Sequence, residues 1–289
     1  RIELENPNNN IFRISSYLNK DPLNSLPEIF ASLKEEAVFF IPTIELGEDK
    51  FINRFKHLFK IPNNLLIKGF LNELIFDFDD TFRLKANFEN LSLQSSKFYI
   101  AGLKGNLKYS PDISKLWINS PYLELNVETL FDNPLIFNNF SSMLDLRLVD
   151  KKVSISKSAF KGSYKQNLIQ GQVNLFPSPF DDTGDLSLEI SSDGLDYLDV
   201  LNLFPNLNFT KSTKSWLKKS VSCGLLEKVS FIYRGPIDNK YDDSSSSFHS
   251  KGFLKEACLN VNSVDIKEIN LIAKINNSSF LGEVTDGNL

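Results

Sequence analysis

The chain has 289 residues, of which 42% are hydrophobic and 24% charged, and its formal net charge is -4. This apolar content is enough to build a core, so it excludes a chain that is disordered throughout. The 32 basic residues are dispersed among 36 acidic ones, which excludes the clustered positive surface that follows a nucleic-acid backbone.

Residues 1–62 are predicted to be a helix-containing N-terminal part. Residues 23–36 have Pro27 near their start, and residues 50–59 carry apolar side chains with the spacing of one helical face. No stretch of the chain approaches the roughly 20 apolar residues that span a bilayer. Because the chain starts at Arg1 and shows no signal peptide, we expect it to be part of a longer protein whose targeting segment lies elsewhere.

The segment 74–81 resembles the first motif of haloacid-dehalogenase-type phosphatases, an apolar strand followed by Asp-x-Asp-x-Thr. The resemblance implies that Asp77 is a nucleophile, that Asp79 is a general acid and that both help to hold magnesium. Such enzymes need a parallel sheet with a helix or cap after the motif, whereas residues 82–89 alternate between apolar and polar as a strand. We therefore predict a hairpin turn at residues 79–81, no catalytic residues and no enzyme, and a phosphatase is the remote alternative.

Residues 63–194 are dominated by alternation with period two, the pattern of strands with one apolar face. The clearest runs are residues 82–89, 123–128 and 144–148. The intervals between strands are short, and parallel strands need crossovers of a dozen residues or more, so we expect antiparallel pairing.

Residues 195–224 are predicted to be a helical insert, followed by a second β segment over residues 225–289. The insert contains two helical segments, residues 195–204 and 212–221. The second is predicted to carry Trp216, Leu217 and Val221 along one face and to stop at Gly224.

Four dispersed side chains offer nitrogen or sulfur ligands: His57, His249, Cys223 and Cys258. Their spacing is not that of a zinc motif, so we expect no metal site and no cofactor. The two cysteines are either free thiols or a disulfide, and the sequence leaves both open.

At least eight of the predicted strands have one apolar face each, and the predicted helices are too few to cover a sheet of that size. Two sheets can pack face to face as a sandwich, or one sheet can curl so that its apolar face lines a trough. An apolar trough is expected to hold an apolar ligand, because burying each methylene of an acyl chain contributes about 0.8 kcal/mol.

The C-terminal part of the chain resembles the YhdP family of the AsmA-like group, which is related to TamB. The shared pattern is an apolar-Pro element at residues 203–205, a Trp-Leu helix at Trp216, a turn at Gly224 and a strand ending in Arg234-Gly235. The similarity covers most of residues 60–289, although the family's Pro-Phe and aromatic-Trp-Pro positions after Gly235 are absent. The resemblance favours the trough over the sandwich, hence a mainly β, elongated and curved antiparallel sheet with a few short helices.

The resemblance implies a segment of a protein that is anchored in the inner membrane, crosses the periplasm of Gram-negative bacteria and carries phospholipids toward the outer membrane. Its partners would be phospholipid acyl chains and the envelope membranes, with no nucleic acid. A non-transporting structural or assembly scaffold of the same architecture is the alternative. A one-residue shift of register would exchange the two faces of a strand. The predicted groove residues are Phe82, Leu84, Ala86, Phe88, Leu123, Leu125, Val127, Leu144, Leu146, Leu148, Phe231, Tyr233, Leu271, Ala273 and Ile275.

Overall fold

The chain is mainly β and forms one large curved sheet of 17 strands with two short helices, as the alternating pattern predicts. This computed structural model describes residues 2–8, 11–16, 29–32, 37–47, 64–78, 82–96, 98–110, 114–128, 130–149, 152–176, 184–203, 211–236, 246–261, 264–276 and 279–286. All statements about the structure refer to these residues.

The first nine strands cover the N-terminal half of the chain. They are β1 (Ile2–Asn8), β2 (Ile11–Ser16), β3 (Ile29–Ser32), β4 (Ala37–Leu46), β5 (Leu66–Phe78), β6 (Phe82–Gln94), β7 (Tyr99–Tyr109), β8 (Ser114–Asn126) and β9 (Leu135–Val149).

The C-terminal half contains eight further strands and both helices. They are β10 (Lys152–Tyr164), β11 (Asn167–Phe176), β12 (Asp185–Ser192), β13 (Leu195–Asp196), α1 (Tyr197–Leu203), α2 (Lys211–Ser220), β14 (Val221–Pro236), β15 (Ser247–Val261), β16 (Val264–Asn276) and β17 (Phe280–Asp286).

The sheet is an antiparallel meander in which β1 to β11 each pair with the next strand along the chain. β14 then pairs with both β12 and the two-residue β13, and the order continues through β15 and β16 to β17. The two helices lie between β13 and β14 in the chain, so they do not interrupt the order of the sheet.

β-Bulges interrupt the pairing of the long strands, and they set the curvature and the orientation of the side chains. The register shifts between Phe88 and Leu91 on β6, and the intervening Asn90 has a positive φ of 49°. On one side of the bulge Ala86 and Phe88 are buried, and on the other side the inward residues are the odd-numbered Leu91 and Leu93. A bulge inserts one extra residue, so it bends the strand and exchanges the parity of the inward set.

The irregular pairing leaves backbone N–H groups without a ladder partner, and side chains of neighbouring strands accept their hydrogen bonds. Two of the acceptors, Ser120 and Ser158, are almost fully buried. The donor and acceptor atoms are Lys104 N and Ser120 Oγ at 2.9 Å, Asp145 N and Ser158 Oγ at 3.2 Å, Lys228 N and Asp193 Oδ1 at 3.0 Å, and Glu256 N and Asn270 Oδ1 at 3.1 Å.

The core lies on one face of the sheet in two adjoining clusters. The larger cluster runs from β6 to β16 and includes α1 and α2, whereas the smaller one centres on Ile41, Ile44 and Leu74. Leu71 and Leu91 pack against both clusters, so the apolar face is continuous across the described strands.

The N-terminal part differs from its prediction. Ile29–Ser32 forms β3, so a helix over residues 23–36 is wrong at these four positions, and the remainder of that segment lies outside the described residues. The helix predicted over residues 50–59 also lies outside the described residues.

Two helices lie in the region predicted as a helical insert. α1 falls within the predicted segment 195–204, α2 begins one residue before the predicted segment 212–221, and the helical part ends at Ser220 rather than at 224. Val221 begins β14, and Gly224 lies inside that strand with a positive φ of 139°, so it is not a helix stop. A residue with a Cβ at this position would approach Leu254 Cδ1 to 2.7 Å, which explains the glycine.

Candidate functional site

The inward apolar face contains most of the predicted groove residues. Phe88, Leu123, Phe231, Tyr233 and Leu271 are buried members of the larger cluster. Five further predicted residues are partly buried and pack against the larger cluster: Leu125, Val127, Leu144, Ala273 and Ile275. Ala86 is buried in the smaller cluster, and Leu84 packs against it.

Three predicted groove residues are not among the residues that form the two clusters or pack against them. Phe82 belongs to an aromatic group at the end of β6, with ring centroids 6.1 Å from Phe76, 5.2 Å from Phe78 and 5.8 Å from Tyr109. Leu146 is partly buried on β9, opposite Ser114 of β8 and Ile155 of β10. The side chain of Leu148 lies outside the described part of the structure.

Sequence reasoning missed several residues of the same face, among them Leu103, Ile118, Phe137, Ile169 and Leu254. A signal for Ile169 was present, because the alternation at Val173 and Leu175 continues backwards through Gly171 to Ile169. Leu254 has no comparable signal, since the bulge at Glu256 breaks the alternation along β15.

The two helices lie on this apolar face, over the inward residues of β12 to β15. Val200 and Leu203 of α1 line a small cavity with Ile190, Val229 and Phe231 of the sheet, and its volume is about 20 Å³. A second cavity of about 20 Å³ lies between Tyr197 and residues of β14, β15 and β16. Each cavity has room for about one water molecule, so protein side chains occupy most of the space on this part of the face.

Leu217 and Trp216 have opposite environments on α2. Leu217 is 1% exposed and belongs to the larger cluster, whereas Trp216 is 51% exposed. The predicted common face of Trp216, Leu217 and Val221 is therefore wrong for Trp216, and Val221 contributes to the cluster from β14 instead.

A buried ion pair joins α2 to the connection between β8 and β9. Lys214 is 4% exposed, and its Nζ donates to Asp132 Oδ2 at 3.2 Å across 82 residues of sequence. Burial lowers the pKa of Lys214, and the hydrogen bond to Asp132 opposes that shift. In the same connection Phe131 is buried in the larger cluster, and Val127 O accepts hydrogen bonds from Leu130 N and Phe131 N.

Cys223 and Cys258 form a disulfide, which resolves the alternative left open by the sequence. The two residues lie opposite each other on β14 and β15, with Cα atoms 4.9 Å apart. Disulfides persist in oxidising compartments, so this bond bears on where the protein is located.

A hollow with a volume of about 660 Å³ lies on the opposite face of the sheet. Its lining includes Trp117, Asn119, Met143, Gln170 and Glu189. Trp117 and Met143 are cross-strand neighbours on β8 and β9, and the Lys108 Nζ lies 5.3 Å from the ring centroid of Trp117. Its lining mixes polar and apolar side chains, and it includes Ile118 of the larger cluster and Phe160, which packs against that cluster.

The described part of the phosphatase-like motif, residues 74–78, ends strand β5, which pairs antiparallel with β6, and the predicted turn at residues 79–81 lies outside the described residues. Asp77 on β5 is opposite Arg83 on β6, and the Arg83 Nη1 to Asp77 Oδ2 distance is 3.8 Å. Asp79 lies outside the described residues. The strand that follows the motif is β6, as predicted, and not the helix of a phosphatase site.

Among the described residues no group of three or more His, Cys, Asp or Glu side chains is arranged to hold a metal ion. A search of the described helices finds none with the length and hydrophobicity of a membrane span. Comparison of the chain with protein-family models, curated proteins and solved structures gives no match.

Proposed function

We propose that this chain is a segment of a protein anchored in the inner membrane that carries phospholipids between the inner and outer membranes along its apolar sheet face. The observation that carries the proposal is the continuous cluster of inward apolar side chains from β6 to β16 on one face of a single curved sheet. Such a face suits acyl chains, because each buried methylene contributes about 0.8 kcal/mol without a directional contact.

The disulfide supports the periplasmic location in this proposal. A Cys223–Cys258 bond requires an oxidising environment to form and persist, and the bacterial periplasm is such an environment. The membrane anchor belongs to a segment outside residues 1–289, and the envelope membranes are the proposed donor and acceptor of lipid.

A charge placed on the apolar face tests the proposal. Leu146→Arg places a guanidinium among half-buried apolar side chains, and we expect it to abolish co-purification of phospholipid, measured by native mass spectrometry and lipid extraction. Met143→Arg is the matched control, since Met143 is 46% exposed on the same strand and lines the hollow on the opposite face. Unchanged lipid content in Leu146→Arg, with lipid present in the wild type, would count against the assigned face.

A non-transporting scaffold of the same architecture is the second candidate. The burial of α1 and α2 against β12 to β15 favours it, because protein side chains fill that part of the face. Purified chain that holds no phospholipid, before or after incubation with phospholipid vesicles, would favour the scaffold over the carrier.

A further inference from the structure

The surface that α1 and α2 cover has the same chemistry as the rest of the proposed lipid-binding face. Beneath the helices lie Leu195, Leu226, Val229 and Phe231, all buried and apolar. The helices contribute the buried side chains Tyr197, Val200, Leu201, Leu203 and Leu217. Aliphatic side chains and acyl methylenes make equivalent contacts with such a surface, since both are non-directional.

The two helices depend on tertiary contacts for their stability. α1 has 7 residues and α2 has 10, and isolated helices of this length are not stable in water. Tyr197 OH donates to Leu217 O at 3.3 Å, which joins the two helices. Lys165 in the β10–β11 turn pairs with Asp199 of α1, and Lys214 of α2 pairs with Asp132.

The Lys214–Asp132 ion pair is the polar contact expected to affect docking of α2 most strongly. Lys214 is 4% exposed, and the hydrogen bond from its Nζ to Asp132 Oδ2 offsets part of the cost of burying its ammonium group. The pair therefore favours the docked position of α2, and its removal favours release.

We propose that the face of β12 to β15 is a second acyl-chain site, and that α1 and α2 are a displaceable plug which keeps it closed. This inference rests on the proposed lipid-carrying function and adds its regulation. The apparent dissociation constant of a ligand equals its intrinsic value divided by the fraction of molecules in the competent state. A variant that raises the undocked fraction about tenfold therefore lowers the apparent dissociation constant about tenfold.

The first test compares two neighbouring positions on α2 in the full 289-residue chain. Leu217→Ser loses buried contacts, and we expect it to bind a phosphatidylethanolamine with a fluorescent acyl chain about tenfold more tightly than the wild type. Trp216→Ser, at the exposed position, is the control and should leave the dissociation constant within about twofold.

The second test acts on the ion pair and covers the case in which Leu217→Ser does not fold. Asp132→Asn should increase both probe affinity and hydrogen exchange of the α2 amides, whereas Glu128→Gln, an exposed change in the same connection, should alter neither. Addition of phospholipid to the wild type should likewise increase exchange in α2 and not in β6 to β9.

The outcomes separate the two proposals. If the wild type binds the probe and both plug variants bind it with unchanged affinity, the plug is wrong and the carrier function stands. If none of the chains binds the probe while circular dichroism shows native β content, the carrier function itself is wrong, and the plug with it.

Discussion

The region β12 to β16 and the region β6 to β9 belong to the same sheet face but bury it to different degrees. On β14 the inward residues Val229, Phe231 and Tyr233 are all buried, whereas on β9 Leu144 and Leu146 remain partly exposed. Both regions have bulges and long antiparallel strands, so curvature of the sheet does not by itself explain the difference. Buried residues also occur in β6 to β9, where Phe88, Leu123 and Phe137 are 5–7% exposed, so α1 and α2 coincide with the deepest burial, such as Tyr233 at 1% and Leu254 at 2%, and not with burial as such.

The largest expected effect comes from shortening matched leucines in the two regions. Leu254→Ala should destabilise the protein by about 2–5 kcal/mol, because the side chain is 2% exposed and its removal leaves a cavity. Leu144→Ala removes a partly buried side chain and should cost about 1 kcal/mol. Guanidinium chloride unfolding of both variants measures the difference, and equal losses would remove the distinction between the regions.

Loss of the disulfide should be the next largest effect and should be confined to the β12–β16 region. The double variant Cys223→Ser with Cys258→Ser opens a link between residues 35 apart, at an expected cost of about 2–4 kcal/mol. Hydrogen exchange should rise in β14 and β15 and stay unchanged in β6 to β9. Dithiothreitol should lower the free energy of unfolding of the wild type and leave that of the double variant unchanged. A double variant that is also destabilised by dithiothreitol would contradict the assignment of the effect to the Cys223–Cys258 disulfide.

Alkaline pH should also act on the β12–β16 region. Burial raises the pKa of Tyr233 to about 12, with Asp185 adding to the shift, and its OH donates to Pro236 O at 2.7 Å. A raised tyrosine pKa stabilises the folded state below pH 10, so this contribution, about 2–3 kcal/mol, should be lost as pH rises from 10 to 12. Thermal unfolding against pH measures the loss, and Tyr233→Phe should flatten the profile; an equally steep profile would assign the effect to other groups.

The smallest effect is expected in β5, outside both regions. Asp77→Asn removes a 3.8 Å pair with Arg83, which is half exposed, and should change the free energy of unfolding by less than about 1 kcal/mol. The same variant tests the phosphatase alternative. Magnesium-dependent hydrolysis of a phosphate ester that disappears in Asp77→Asn would revive that alternative.

The fold class followed from the sequence because one-sided strands have a strong local signature. Residues 82–89 alternate without interruption, and the structure places them on β6. The two helices of the insert were also predictable, since residues 195–204 and 212–221 break the period of two. Residues 29–32 were not, because a run of three apolar residues followed by Ser32 fits a strand or a helix equally well.

The bulges limited how much of the apolar face could be predicted. Glu73, Lys228 and Glu256 have positive φ values of 53°, 52° and 52°, although none of them is a residue type that marks such a conformation. Each changes which residues of its strand point inward, and strict alternation cannot anticipate that change. The environments of Trp216 and Leu217 and the pairing of the cysteines are likewise set by tertiary contacts that short-range patterns do not contain.

The order of the strands has a consequence for how the chain acquires its structure. Because nearly every strand pairs with its neighbour in sequence, each new hairpin can join the edge of the sheet already formed, without waiting for distant parts of the chain. Such an order suits a polypeptide that becomes available from one end, as during synthesis or export. The Lys214–Asp132 contact joins residues 82 apart with β9 to β12 between them, so docking of α2 on this contact should follow the pairing of those strands.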